Sequence, residues 1–320
     1  MNRRDFIGVL GGLIATSSLP SPAAEWKGAG KSLFASRGRF ERLAMTYVHL
    51  PIGVKEPFSI LHISDTHLTA VYPSESEKKR KLGEIRTRTF GGRQEEALRD
   101  SLAWAKDNAD YVIHTGDLID FQSEANFDLV KKYFGSAMTG SMGNHEFSPE
   151  MWMSEPKETK DEAFKDRSRA TLSAVYPFDI SFQSTVVNGV NFITMDNVYG
   201  TVTEGQAAKF KSEVATGLPI VLCMHMPIAS RLNRMVQNKY WMGGRWDRPS
   251  MKFRGGLGDE PQIRDAVTRE FVAMLRSERL LKAILAGHNH YALQERFSGS
   301  ANQYIVGPNF MFHGQEILFT

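Results

Sequence analysis

The chain has one cysteine, Cys223, in 320 residues, so no disulfide framework can form within it. Cys223 lies inside the apolar run from Ile220 to Met224, where a thiol reads as a small buried hydrophobe. A strong net charge is also missing. The 39 Lys and Arg against 36 Asp and Glu leave a formal +3, too mild to argue for a nucleic-acid or membrane-surface partner. Internal repeats and low-complexity tracts are absent, which excludes solenoid and fibrous classes. Hydrophobic content of 42% and charged content of 23% are ordinary for a soluble globular chain. The length suits one large domain or two smaller ones, and no linker divides it.

The first 24 residues read as an export signal outside the fold. Arg3 and Arg4 precede Phe6 and Ile7, a short Gly-containing apolar run continues to Ala15, and Leu19-Pro20-Ser21-Pro22-Ala23-Ala24 supplies a small-residue exit. The apolar run falls well short of the roughly 20 residues that a membrane-spanning helix needs. The Arg-Arg-x-Phe-Ile pattern resembles a bacterial twin-arginine signal, which implies a periplasmic or extracellular location. No cysteine near the exit points to a lipoprotein.

Along the rest of the chain, apolar runs alternate with amphipathic segments, the pattern of an α/β fold. Phe40 to Leu50 reads as an edge strand, and Phe58 to Ile63 as a buried strand. Residues 69–92 read as a polar, basic loop whose Lys and Arg side chains form a solvated surface. Helix is expected over Gln94 to Lys106, Ala125 to Phe134, Asp161 to Leu172, Glu204 to Val214 and Pro261 to Arg276, the last with Pro261 in its first turn. Strands are expected at Tyr111 to Ile113, Ser136 to Met142, Leu218 to Met224 and Leu281 to Ala286. Asn188-Gly189 marks a hairpin between Ile180 and Met195. Short strands close the chain at Tyr291 to Phe297, Gln303 to Val306 and Ile317 to Phe319. Cap or insert loops are expected around 147–178 and 230–260 within one domain spanning 25–320.

Five of these strands stop at residues able to bind metal: Asp65 and His67, Asp117, Asn144 and His145, His225, and His288 and His290. Strand alternation would put Asp65 with His67, and His288 with His290, on common faces. Imidazole, carboxylate and amide oxygen suit Zn, Mn, Fe or Co, and no thiolate takes part. The set exceeds what one metal can take, and one carboxylate can bridge two metals roughly 3.5–4 Å apart.

These blocks, Asp65-x-His67, Gly116-Asp117, Gly143-Asn144-His145-Glu146, His225 and Gly287-His288-x-His290, resemble in order the motif set of the calcineurin-like metallophosphoesterases. The resemblance runs over roughly 55–320. It implies a four-layer α/β/β/α sandwich with two mixed sheets and a dinuclear site at the strand ends, holding two ions among Mn, Fe and Zn. It implies Asp65, His67 and His290 on one metal, Asn144, His225 and His288 on the other, and Asp117 bridging them. His145 would serve as proton donor to the leaving oxygen or steady the transition state, and Asp120 would orient it. The reaction implied is attack on phosphorus by a metal-activated hydroxide, acting on small phosphomonoesters or phosphodiesters, with nucleotide diphosphates also open. Phe121 stands where protein phosphatases of the superfamily carry arginine, and Asp120 where purple acid phosphatases carry tyrosine, so neither branch is expected.

In the segment 231–254, arginines interleave with aromatics. Arg245, Arg248, Trp241 and Trp246 are the candidates to grip the leaving group, since arginine forks onto phosphate and aromatics stack. The alternative is a cap packed by its own aromatics. His62 and His114, inside apolar strands, read as core histidines, and Glu146 as a structural carboxylate. A non-catalytic metal-binding or surface-interaction protein on the same fold is the competing reading.

Overall fold

The computed structural model describes residues 42–134, 138–149, 161–242 and 265–320. The export segment therefore lies outside the described residues, as do Arg245, Trp246, Arg248 and Pro261.

The first sheet contains β1 (Ala44–Leu50), β2 (Phe58–Ile63), β3 (Tyr111–His114), β4 (Met138–Gly140) and β11 (His313–Phe319), in the order β1-β11-β2-β3-β4. Only the β11–β2 pairing is antiparallel. The second sheet contains β5 (Phe182–Val187), β6 (Val190–Met195), β7 (Ile220–Cys223), β8 (Leu281–Ala286), β9 (Leu293–Arg296) and β10 (Asn302–Ile305), in the order β5-β6-β7-β8-β10-β9. Antiparallel pairs at each edge flank its parallel centre. The Asn188-Gly189 hairpin forms as expected, with both residues at positive φ.

Every residue of β2, β6 and β7 is buried, which requires cover on both faces of each sheet. Between the sheets lie Phe58, Ile60, Ile113, Ile317 and Phe319 from one side and Phe192, Val221, Leu285 and Tyr304 from the other. Cys223 is in this layer with its thiol pushed up by burial. On the outer face of the first sheet, Leu61, Ile63 and Val112 meet Leu98 and Trp104 of α2 (Gln94–Asn108) and Val130 of α3 (Glu124–Tyr133). On the outer face of the second, Ile193, Leu222 and Ile284 meet Phe210 of α5 (Glu204–Val214) and Phe271 and Leu275 of α7 (Ala266–Ser277). The result is the expected α/β/β/α sandwich.

Three expectations need correction. Residues 69–92 are not a loop: Glu77–Phe90 is a helix, α1, capped by Ser76 and stopped by Gly91 in the left-handed region. Its apolar stripe is thin, and one position on the buried face is an arginine, Arg86, so the hydrophobic period is broken. The start of 230–260 is also helical, α6 (Arg231–Met242), whereas α4 (Glu162–Val175) is the helix expected over Asp161 to Leu172. Finally, α7 begins after Asp265, which caps Thr268 N, so Pro261 is not in its first turn.

Candidate metal centre

The loops after β2 and β3 are zipped together by backbone hydrogen bonds: Asp65 N to Gly116 O (3.0 Å), His67 N to Asp117 O (2.9 Å), Leu68 N to Leu118 O (2.8 Å) and Asp120 N to Leu68 O (2.9 Å). A bond from His288 N to Asp65 Oδ2 (2.9 Å) joins the second sheet to the first, and Gly287 N donates to His225 O (3.0 Å). The strand ends of both sheets thus form one rim.

Strand alternation is not what aims the side chains. Asp65, His67, Asp117, His288 and His290 all have φ between 53° and 70°, past the strand ends in the left-handed region. Each such residue costs on the order of 1 kcal/mol, and the backbone bonds above hold them there. This turn lets neighbours two apart converge without a pleat.

The donor atoms of Asp65, His67, Asp117 and His290 lie within 4.8 Å of one another, and so do those of Asp117, His225 and His288. Asp117 is common to both groups. Asn144 joins the second through its Oδ1, 3.2 Å from His225 Nε2. The partners of the outer ring nitrogens fix which nitrogen is left to face inward. His67 Nδ1–H donates to Asp120 Oδ1 (3.0 Å) and His225 Nδ1–H donates to Thr115 O (2.8 Å). In its neutral, metal-binding form each ring would then turn an Nε2 lone pair inward. His67 Nε2 meets His290 Nε2 at 3.0 Å, and His225 Nε2 meets Asp117 Oδ2 at 3.2 Å and His288 Nδ1 at 3.1 Å. With the rings deprotonated, these inward donors face one another and call for a positive charge between them, so the donor set fits divalent metal.

Charge follows the same pattern. Burial opposes ionisation of Asp65 and Asp117, yet the neighbouring histidines hold both below the ordinary carboxylate range. Burial also opposes charge on His225, and Asp117 overrides it, raising the ring to about 9. Burial wins at His67, lowered to about 4, and at His288, lowered to about 3.

A third group, His67, Asp120 and His145, differs in kind. Asp120 takes a fork from Arg86, Nε to Oδ2 at 2.6 Å and Nη2 to Oδ1 at 2.8 Å, so a guanidinium already supplies the cation. His145 Nδ1–H reaches Asp120 Oδ1 (2.9 Å) and O (3.0 Å), leaving Nε2 to face the centre, 3.9 Å from Asp117 Oδ2. Burial opposes its charge, but Asp117 and Asp120 together raise it to about 9.

Glu146 is a hub for backbone amides. Its Oε2 accepts from Asp117 N (2.9 Å) and Gly143 N (2.8 Å), and its Oε1 from Leu118 N (2.7 Å). Burial and Asp117 raise it to about 7. Of the core histidines, His62 Nε2 meets Thr115 Oγ1 (2.9 Å) and His114 Nε2 meets Thr66 Oγ1 (2.9 Å). Trp241 is in α6, with only its backbone described, and Arg245, Trp246 and Arg248 lie outside the described residues. Arg86 and Glu146 are the participants that motif reasoning left out of the site.

Gly143 shows how tightly the rim closes. A Cβ there would meet Asp117 Oδ1 at 2.1 Å and Asp117 N at 2.3 Å. Gly143→Ala should therefore destabilise the fold by on the order of 3 kcal/mol and lower bound metal. Thermal melting with elemental analysis checks this, and unchanged values of both would mean that the loop yields freely.

A family model, calcineurin-like phosphoesterase, matches residues 58–292. The chain belongs to this family of metal-dependent phosphoric ester hydrolases. Among solved structures it is similar to a dimetal phosphatase from Danio rerio, at 13% identity and TM-score 0.45, covering 80% of this chain and 89% of that one. It is also similar to a putative 5'-nucleotidase from Staphylococcus aureus, at 12% identity and TM-score 0.41, covering 79% of this chain and 49% of that one. The phosphopantetheinyl hydrolase of Mycobacterium tuberculosis matches at 14% identity and TM-score 0.37, covering 79% and 91%. No curated protein matches the chain in sequence. Among the described residues no helix is long and apolar enough to cross a membrane.

Proposed function

We propose that this phosphoesterase is an exported, dinuclear enzyme that hydrolyses small phosphomonoesters or phosphodiesters. The observation that carries this reading is the pair of donor groups sharing Asp117, each with inward lone pairs. Asp65, His67 and His290 would hold one ion, Asn144, His225 and His288 the other, and Asp117 both. When bound, two such ions supply Lewis-acid charge to the phosphoryl oxygens and make a nucleophile available near neutral pH.

The chain's own residues do the rest. His145 presents Nε2 toward the centre and delivers a proton to the leaving oxygen. Asp120 holds the opposite nitrogen, so the ring neither flips nor tilts. Glu146 gathers the amides of Gly143 and Asp117 and keeps the two loops at fixed separation. The segment 231–254 would contact the leaving group, with Arg245 and Arg248 forking onto anionic oxygens and Trp241 and Trp246 stacking. Support for this placement comes from its first helix: Asn233 Oδ1 accepts from Asn289 Nδ2 at 2.9 Å, between the two histidines of the β8 loop.

The test is hydrolysis of p-nitrophenyl phosphate and bis-p-nitrophenyl phosphate with added Mn²⁺, Zn²⁺ or Fe²⁺, before and after chelation. Turnover of at least one ester, abolished by chelator and restored by metal, is expected. Turnover of neither under any metal would favour the non-catalytic metal-binding reading. Export is tested separately: replacing Arg3 and Arg4 with lysine should retain the protein in the cytoplasm on cell fractionation, and unchanged export would sink the twin-arginine assignment.

A further inference from the structure

Helix α1 aims two side chains of one face, Arg86 and Phe90, four residues apart, at the centre. Arg86 is 5% exposed. Its fork takes both oxygens of Asp120, and its guanidinium lies 4.8 Å from the centroid of the Phe90 ring. That ring in turn stacks on His67 at 4.4 Å and 11°. Asp120 Oδ1 therefore receives three donors: Nη2 of Arg86, Nδ1 of His67 and Nδ1 of His145. A carboxylate between two imidazoles can rotate about Cβ–Cγ to favour either one. A planar fork on both oxygens removes that freedom, as a point charge does not.

We propose that Arg86 is a positioning residue that locks Asp120 so that one oxygen serves His67 and His145 together. It thereby couples the ring at the metal centre to the ring at the leaving group. The roles of the two rings rest on the phosphoesterase reading, while the lock itself rests on the geometry. A plain buried ion pair is the alternative, and it predicts lost stability without any change specific to these two rings.

The experiment uses the full chain with ¹⁵N-labelled histidine rings, as wild type, Arg86→Gln and Arg86→Lys, with and without Zn²⁺. The Nδ1–H signals of His67 and His145 should shift or vanish into exchange in Arg86→Gln, while the signal of His62, bonded to Thr115, stays. In turnover, kcat for an alkyl phosphoester should fall by about tenfold or more, kcat for the p-nitrophenyl ester should fall much less, and KM should hold. Arg86→Lys should fold, keep the charge and recover only part of both effects. Unchanged His67 and His145 signals, or equal kcat losses on both esters, would overturn the proposal. If Arg86→Gln does not fold, the ring signals of Arg86→Lys decide in the same way. If the wild type turns over neither ester, the phosphoesterase reading fails and the ring spectra still judge the lock.

Discussion

Asp117→Ala is expected to strip the protein of metal and lower kcat/KM by roughly four orders of magnitude, about 5.5 kcal/mol at about 1.4 kcal/mol per decade. Asp117 is the residue shared by the group of Asp65 and the group of His225, so under the proposed ligand sets its loss would remove a ligand from each ion at once and leave the facing imidazoles in mutual contact. Its other oxygen accepts from His145 N at 2.9 Å, so the substitution also frees the loop that carries His145, the proposed proton donor. Asp117→Asn separates these effects. It keeps an acceptor for His145 N and a possible oxygen ligand but discards the charge that raises His225. Elemental analysis should show metal lost in the alanine variant and reduced in the asparagine variant. The fold should survive, because the amides around Glu146 do not depend on the Asp117 side chain. Full metal occupancy in Asp117→Ala would sink the bridging assignment.

The rim of the site was legible in the sequence because strands announce themselves by apolar runs, and the chemistry sits where those runs stop. Asp65, His67, Asp117, Asn144, His145, His225, His288 and His290 meet at one edge for that reason. The backbone conformation that aims them was not legible. Alternation along a strand gave the right grouping for the wrong cause, since five of them lie in left-handed turns that only the hydrogen bonds between loops stabilise. Arg86 was hidden differently. Its neighbourhood, Lys78 to Arg93, reads as solvated charge, yet Leu82, Arg86 and Phe90 fall at helical spacing between a serine cap and a double glycine. That framing was available, and the missing piece was the buried aspartate that makes a buried arginine tolerable. Glu146 had no periodic signal at all, because its partners are backbone amides of a loop far away in sequence.

His145→Ala should behave in the opposite way from Asp117→Ala: metal content near wild type and kcat reduced by about 10²–10⁴, the range for removing a positioned general acid. The ring belongs to neither of the groups that contain Asp65 or His225, and among the described residues the one donor cluster it joins already holds the Arg86 guanidinium. Removing it leaves every inward-facing donor in place. What disappears is a proton at Nε2, on the side of the ring facing Asp117 Oδ2. The loss should therefore scale with the leaving group's need for that proton. An alkoxide leaves poorly without protonation, whereas p-nitrophenolate leaves as a stable anion, so the alkyl ester should suffer the larger drop. If His145 acted instead by steadying negative charge on the phosphoryl oxygens, both esters would lose alike, since that charge is common to them. If metal left with the ring, His145 would be a ligand and the division of roles between it and Asn144 would be wrong. Arg86→Gln added on top of His145→Ala should then cost little in kcat beyond the single variant. A lock on Asp120 has no turnover to protect once the ring it orients is gone, and the two losses would fall short of adding.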